Sequence, residues 1–145
     1  MRSIILAVVL GAISISSYAR DQLDGSMWRT IDDATGKPRA TVQFTESNGV
    51  LSGTVKSLLD KSAKTHCEDC SGSLKGAPVV GLRIVNNLKP VEGEPNAYDS
   101  GTIMDPYNGK TYRLKGTVSA DGKTLKLRGY IGISLLGRNQ TWQRI

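Results

Sequence analysis

Arg39-Ala40-Thr41-Val42-Gln43-Phe44-Thr45, followed at once by Glu46-Ser47-Asn48-Gly49, decides the fold class. On an extended chain Ala40, Val42 and Phe44 fall on one face and Arg39, Thr41, Gln43 and Thr45 on the other, the pattern of a strand buried on one side. Asn-Gly tolerates the positive φ of a tight hairpin, so the chain turns back on itself. Leu51, Val55 and Leu59 are then expected on one face of the return strand.

The same period of two continues outward in both directions. Val80, Leu82, Ile84 and Leu88 alternate with Gly81, Arg83, Val85 and Asn87, and the Pro90 to Pro95 segment with Gly93 separates that strand from the next. Ile103-Met104 leads through Asp105-Pro106-Tyr107-Asn108-Gly109, a turn sequence, into Tyr112, Leu114 and Val118. Asp121-Gly122 marks another hairpin, followed by Leu125, Leu127 and Ile131 on one face. With Trp28 to Ile31 as the first strand and Arg138 to Ile145 as the last, the count reaches about eight. No stretch keeps apolar residues at helical spacing for three turns. The reading is all-β, an up-and-down antiparallel barrel, because closure removes the edges that recruit other chains; an open β-sandwich is the runner-up.

The chain has 145 residues, 39% hydrophobic and 22% charged, with a formal net charge of +6. That composition suits a single folded domain and favours anionic partners. Met1-Arg2, the mostly apolar run Ile4 to Ile15 and the small residues of Ser17-Tyr18-Ala19 predict a signal peptide over residues 1–19, cleaved after Ala19, and a barrel domain over 20–145. The product is expected to be soluble and periplasmic or secreted, since no cysteine follows the cleavage site and no later segment is apolar enough to span a bilayer.

One connection, Asp60 to Pro78, is long and holds His66, Cys67 and Cys70, the only histidine and cysteines. Outside the cytoplasm Cys67 and Cys70 are expected to form a small structural disulfide. A redox dithiol would open a helix in a βαβ unit, which is not seen. Zinc is disfavoured because adjacent His66 and Cys67 hold one ion awkwardly and no second pair exists. No nucleophile-elbow sequence accompanies His66, and the carboxylates Glu94, Asp99 and Asp105 read as turn residues, so no enzyme activity, metal or cofactor is implied. Export and the absence of basic clusters interleaved with aromatics argue against nucleic acid.

The C-terminal run Arg128-Gly129-Tyr130-Ile131-Gly132-Ile133-Ser134-Leu135-Leu136-Gly137-Arg138-Asn139-Gln140-Thr141-Trp142 sets three glycines among large side chains. Arg138, Gln140, Trp142 and Arg144 share one face of the last strand. Turned inward, they line the lumen with guanidiniums and an indole, suited to an anionic head group with an apolar tail. Turned outward, they cover the end of the barrel.

This run, together with Gly101-Thr102-Ile103-Met104-Asp105-Pro106, Asn108-Gly109-Lys110-Thr111-Tyr112, Pro78-Val79-Val80-Gly81-Leu82 and the early Trp28, resembles the bacterial exported family called domain of unknown function 2147. The resemblance spans nearly the whole expected mature chain. It implies a small lipocalin-like barrel and no assigned reaction. In lipocalins a tryptophan in a Gly-x-Trp opening packs beneath an arginine of the last strands. Here Gly25-Ser26-Met27-Trp28 is one residue longer, and the resemblance implies a pair of Trp28 with Arg138 or Arg144.

Two functions are consistent with these residues. The first is a binding protein for a small amphipathic or anionic apolar ligand, fatty acid or lipid-like, contacted by Arg128, Tyr130, Arg138, Gln140 and Trp142. The second is an envelope or protein interaction module whose barrel is filled by its own side chains.

Overall fold

The structure, a computed structural model, describes residues 9–14 and 19–145. Most of the expected signal peptide, including Met1-Arg2 and Ser17-Tyr18, lies outside the described residues. Among the described residues ten strands follow one another: β1 (Met27–Ile31), β2 (Pro38–Ser47), β3 (Val50–Leu58), β4 (His66–Cys67), β5 (Ala77–Pro78), β6 (Arg83–Pro90), β7 (Ala97–Met104), β8 (Thr111–Val118), β9 (Thr124–Tyr130) and β10 (Arg138–Arg144). Eight of them close into a barrel in the order β1-β10-β9-β8-β7-β6-β3-β2, every pair antiparallel. Strands β4 and β5 form a separate two-stranded ribbon in the connection from β3 to β6. The barrel, rather than the sandwich, is therefore the observed architecture.

The turns form where local chemistry asks for them. Asn48 and Gly49 both adopt positive φ, 53° and 77°, and Ser47 pairs with Val50 across the hairpin. Asp105 accepts from the Tyr107 and Gly109 amides, closing the β7–β8 turn. The Cys67–Cys70 disulfide is formed, and both residues are buried in the main core.

One end of the barrel is sealed. Trp28 is fully buried there and donates its indole N–H to Ser26 Oγ at 2.7 Å, while the Arg144 guanidinium sits 5.3 Å from its ring centroid. Leu23 fills the space beneath, and Tyr98 donates to Asp21 at 2.9 Å, tying the N-terminal segment to the wall. Arg144, not Arg138, is thus the partner of Trp28. The opposite end, the mouth, carries the four connections 32–37, 59–82, 105–110 and 131–137.

Bulges shift the strict alternation read from the sequence. Thr41 pairs with Ser57 but Val42 with Val55, leaving Lys56 as an extra residue in β3. Beyond it the phase inverts, so Leu58 packs against the core and the expected Leu59 is exposed. The stretch 79–82 is a turn, with the Leu82 amide donating to Val79 O and Gly81 at φ 96°, so Val79 is buried and the expected Val80 is exposed. Val85, placed on the outer face by alternation, is buried against Gly53, where a Cβ would come within 3.1 Å of it. Ile131 leaves the strand and stands exposed in the mouth connection.

Candidate functional site

Inward-facing residues of the strands fill the sealed half of the lumen but leave a cavity of about 160 Å³ towards the mouth. Its walls are mostly apolar, with Val42, Val55, Ile84, Met104, Leu114 and Leu127 among them, and Trp142 contributes the aromatic surface. Trp142 packs against Phe44 at 6.1 Å between ring centroids, and its indole N–H donates to Gln140 Oε1 at 3.0 Å. Each residue reaches the lumen because the pleat sends every second side chain inward.

Two arginines stand at the mouth. Arg138, at the start of β10, lines the cavity and donates from Nε to Asp33 at 2.8 Å. That hydrogen bond raises the affinity of the Arg138 guanidinium for its proton. Arg39 is brought in by a bulge: Thr30 pairs with Ala40 and Ile31 with Pro38, so Arg39 is the unpaired extra residue of β2. Such a residue is re-aimed out of the pleat. The Arg39 guanidinium lies 4.1 Å from the Tyr107 ring centroid, and Nη1 is 3.2 Å from Asp32. Its Nε is buried and has no hydrogen-bond partner among the described residues.

The surrounding electrostatics follow from these contacts. The Thr35 amide, with the Ala34 amide and the Arg39 charge, holds the Asp32 carboxyl below its ordinary 3.8. Burial pushes the Tyr107 phenol upward, with Arg39 opposing it, so Tyr107 stays neutral beside the cavity. The mouth therefore combines two permanent cations, each held by one carboxylate, with the Asp105 carboxylate that accepts from the Tyr107 amide, a neutral phenol and an apolar interior.

Of the expected contact residues, Arg138, Gln140 and Trp142 line this cavity. Arg128 and Tyr130 do not, because Leu125, Leu127 and Gly129 take the inward positions of β9. Arg128 points outward and donates to the carbonyls of Ser134 and Leu135. Tyr130, also outside, lies 6.0 Å beneath Lys115 Nζ. The sequence reading missed Arg39, Tyr107 and Tyr112. The Tyr112 position was readable, since it shares a face with Leu114; Arg39 was not, because a bulge leaves no signal in the alternation.

The β3–β6 connection packs against the mouth from outside. Cys70 Sγ lies 3.7 Å from the sulfur of Met104, which lines the cavity, and Val79 contributes to its wall. Gly109 abuts the same connection so closely that a Cβ would meet the backbone of Asp69. His66 is exposed, with Nδ1 2.9 Å from Thr65 Oγ1. Among the described residues no three His, Cys, Asp or Glu side chains are grouped to hold a metal ion, and no helix is long and apolar enough to cross a membrane.

A solved structure described as "Protein HP1028 from the human pathogen Helicobacter pylori belongs to the lipocalin family" superposes with a TM-score of 0.73. It is 24% identical, over 85% of this chain and 82% of that one, and the likeness is one of fold. No curated protein matches the chain. A family profile does, over residues 26–144, from β1 to the end of β10. The chain belongs to the family described as "Uncharacterized protein conserved in bacteria (DUF2147)".

Proposed function

We propose that the protein is an exported binding protein for a small anionic amphipathic molecule, held with its apolar part in the cavity and its anion at Arg39 and Arg138. The observation that carries this reading is the apolar cavity with the buried, unpartnered Arg39 Nε at its mouth. A buried donor without a partner costs about 1–3 kcal/mol, which a ligand carboxylate would recover once the part-exposed Arg39 side chain turns its Nε towards it. Binding rather than catalysis fits a site whose polar groups sit at the rim and whose depth is apolar.

The volume restricts the ligand. A cavity of about 150 Å³ accommodates benzene, so the 160 Å³ here suits one ring or a chain of about six to eight carbons rather than a long fatty acid. Calorimetric titration with octanoate, against octanol as its uncharged counterpart, tests the reading. Octanoate is expected to bind more tightly, and Arg39→Gln to weaken it about tenfold or more while leaving octanol unaffected. Equal affinity for the two compounds would overturn the assignment of the anion to the arginines. Failure of both to bind would overturn the cavity as a ligand site.

A further inference from the structure

The connection from β9 to β10 exposes four large aliphatic side chains: Ile131 at 62%, Ile133 at 58%, Leu135 at 85% and Leu136 at 76%. Single exposed apolar residues are ordinary, but four within six positions make a continuous apolar tip. The backbone of this tip is held in place. Arg128 donates from Nε to Ser134 O at 2.7 Å, from Nη2 to Leu135 O at 3.2 Å and from Nη1 to Asn139 Oδ1 at 2.8 Å, and Ser134–Leu136 forms one turn of 3-10 helix.

The wall beside the tip is basic. Strand pairing places Arg113 opposite Tyr130, Lys115 opposite Arg128 and Lys126 opposite Thr117 and Thr141, all on the outer face of β8, β9 and β10. No carboxylate occurs in these three strands. Among the described residues Arg113, Lys115 and Lys126 take part in none of the ion pairs.

We propose that this tip inserts into the interfacial layer of a membrane carrying anionic lipids, with the basic wall lying against the headgroups. The charge decides between the surfaces an apolar tip can join. A second copy packed by two-fold symmetry presents the same patch to itself and opposes like charges. An anionic bilayer complements them and is attracted by each basic residue near its surface. Tyr130, between wall and tip, has the amphipathic ring favoured at that depth. Arg138 follows the tip within two residues, so docking also brings the cavity mouth to the headgroup layer.

A Leu135→Trp reporter tests the insertion, read as its emission change on adding vesicles after subtracting that of the unsubstituted protein, in which Trp28 and Trp142 are buried and Trp142 lines the cavity. Vesicles of phosphatidylcholine and phosphatidylglycerol in equal parts are expected to shift its emission to the blue, and phosphatidylcholine alone to leave it unchanged. In the reporter, Arg113→Gln and Lys115→Gln are each expected to raise the half-saturating lipid concentration about fivefold. In vesicle sedimentation without the reporter, the double change Leu135→Ser, Leu136→Ser is expected to lower binding at least tenfold. All forms carry the same N-terminal residues, so these contribute equally. An unshifted reporter, or sedimentation indifferent to the double change, overturns the proposal. A dimer in analytical ultracentrifugation that the double change dissociates overturns it too, in favour of a surface for another protein copy.

Discussion

Gly129→Val tests the lumen directly. Gly129 faces the cavity from β9, and a Cβ there would meet Tyr112 Cβ at 3.6 Å, Ile103 Cγ2 at 3.8 Å and the Arg113 carbonyl at 3.9 Å, all ordinary contacts. Valine therefore enters without moving the backbone, and its three carbons take up about half the room of a benzene-sized occupant. At about 0.8 kcal/mol per buried carbon, with the entropic cost of a strand glycine removed but a similar amount of rotamer freedom lost by the valine, the variant gains about 2 kcal/mol. For a domain of this size that is a rise in melting temperature of about 5–10 °C. Octanoate affinity is expected to fall at least tenfold in the same preparation. Scanning calorimetry and titration together give the answer. A stabilised variant that still binds octanoate as before refutes the cavity as the binding site, and a loss of more than about 1 kcal/mol refutes the free space itself.

Trp28→Ala removes the plug of the sealed end and is expected to cost about 3–5 kcal/mol in denaturant unfolding. Gly109→Ala, at φ 71° and with its Cβ driven into the Asp69 backbone, is expected to displace the disulfide-bearing connection, which amide hydrogen exchange over residues 66–78 detects as lost protection. Hydrogen bonds hold the Asp24, Asp32, Asp60 and Asp121 carboxyls below their ordinary 3.8, the Glu46 amide leading for Asp24, the Thr35 amide for Asp32 and the hydroxyls of Ser62 and Ser119 for the last two. Groups so depressed contribute stability above that value and lose it as the pH falls through and below it. The melting temperature is thus expected to be level above about pH 5 and to decline below about pH 4.

Much of the barrel was readable because hairpin chemistry and alternation are local. Ala40, Val42 and Phe44 face the core, and Asn48-Gly49 turns the chain, without help from distant residues. What escaped the reading depends on pairing between strands. Lys56 and Arg39 are unremarkable in sequence, and only the partner strand's register makes each of them the extra residue of a bulge. That is why Leu58 replaced Leu59 in the core and why Arg39, assigned to the outer face, stands at the cavity mouth. Arg138, Gln140 and Trp142 required only the choice of face for β10, whereas Arg128 and Tyr130 belong to the opposite phase of β9 from Leu125 and Leu127.

The seam between β1 and β10 joins elements near the two ends of the barrel domain through Trp28 opposite Arg144 and Arg29 opposite Gln143. Trp142, the largest side chain of the cavity wall, arrives only with that last strand. A chain synthesised as far as β9 has two unsatisfied edges, an uncovered Phe44 and a Trp28 without its cation. Closure of the barrel is therefore expected only once β10 is present, in one cooperative step with the packing of Trp28 and Trp142, and a chain ending after β9 is expected to lack a sharp unfolding transition in denaturant.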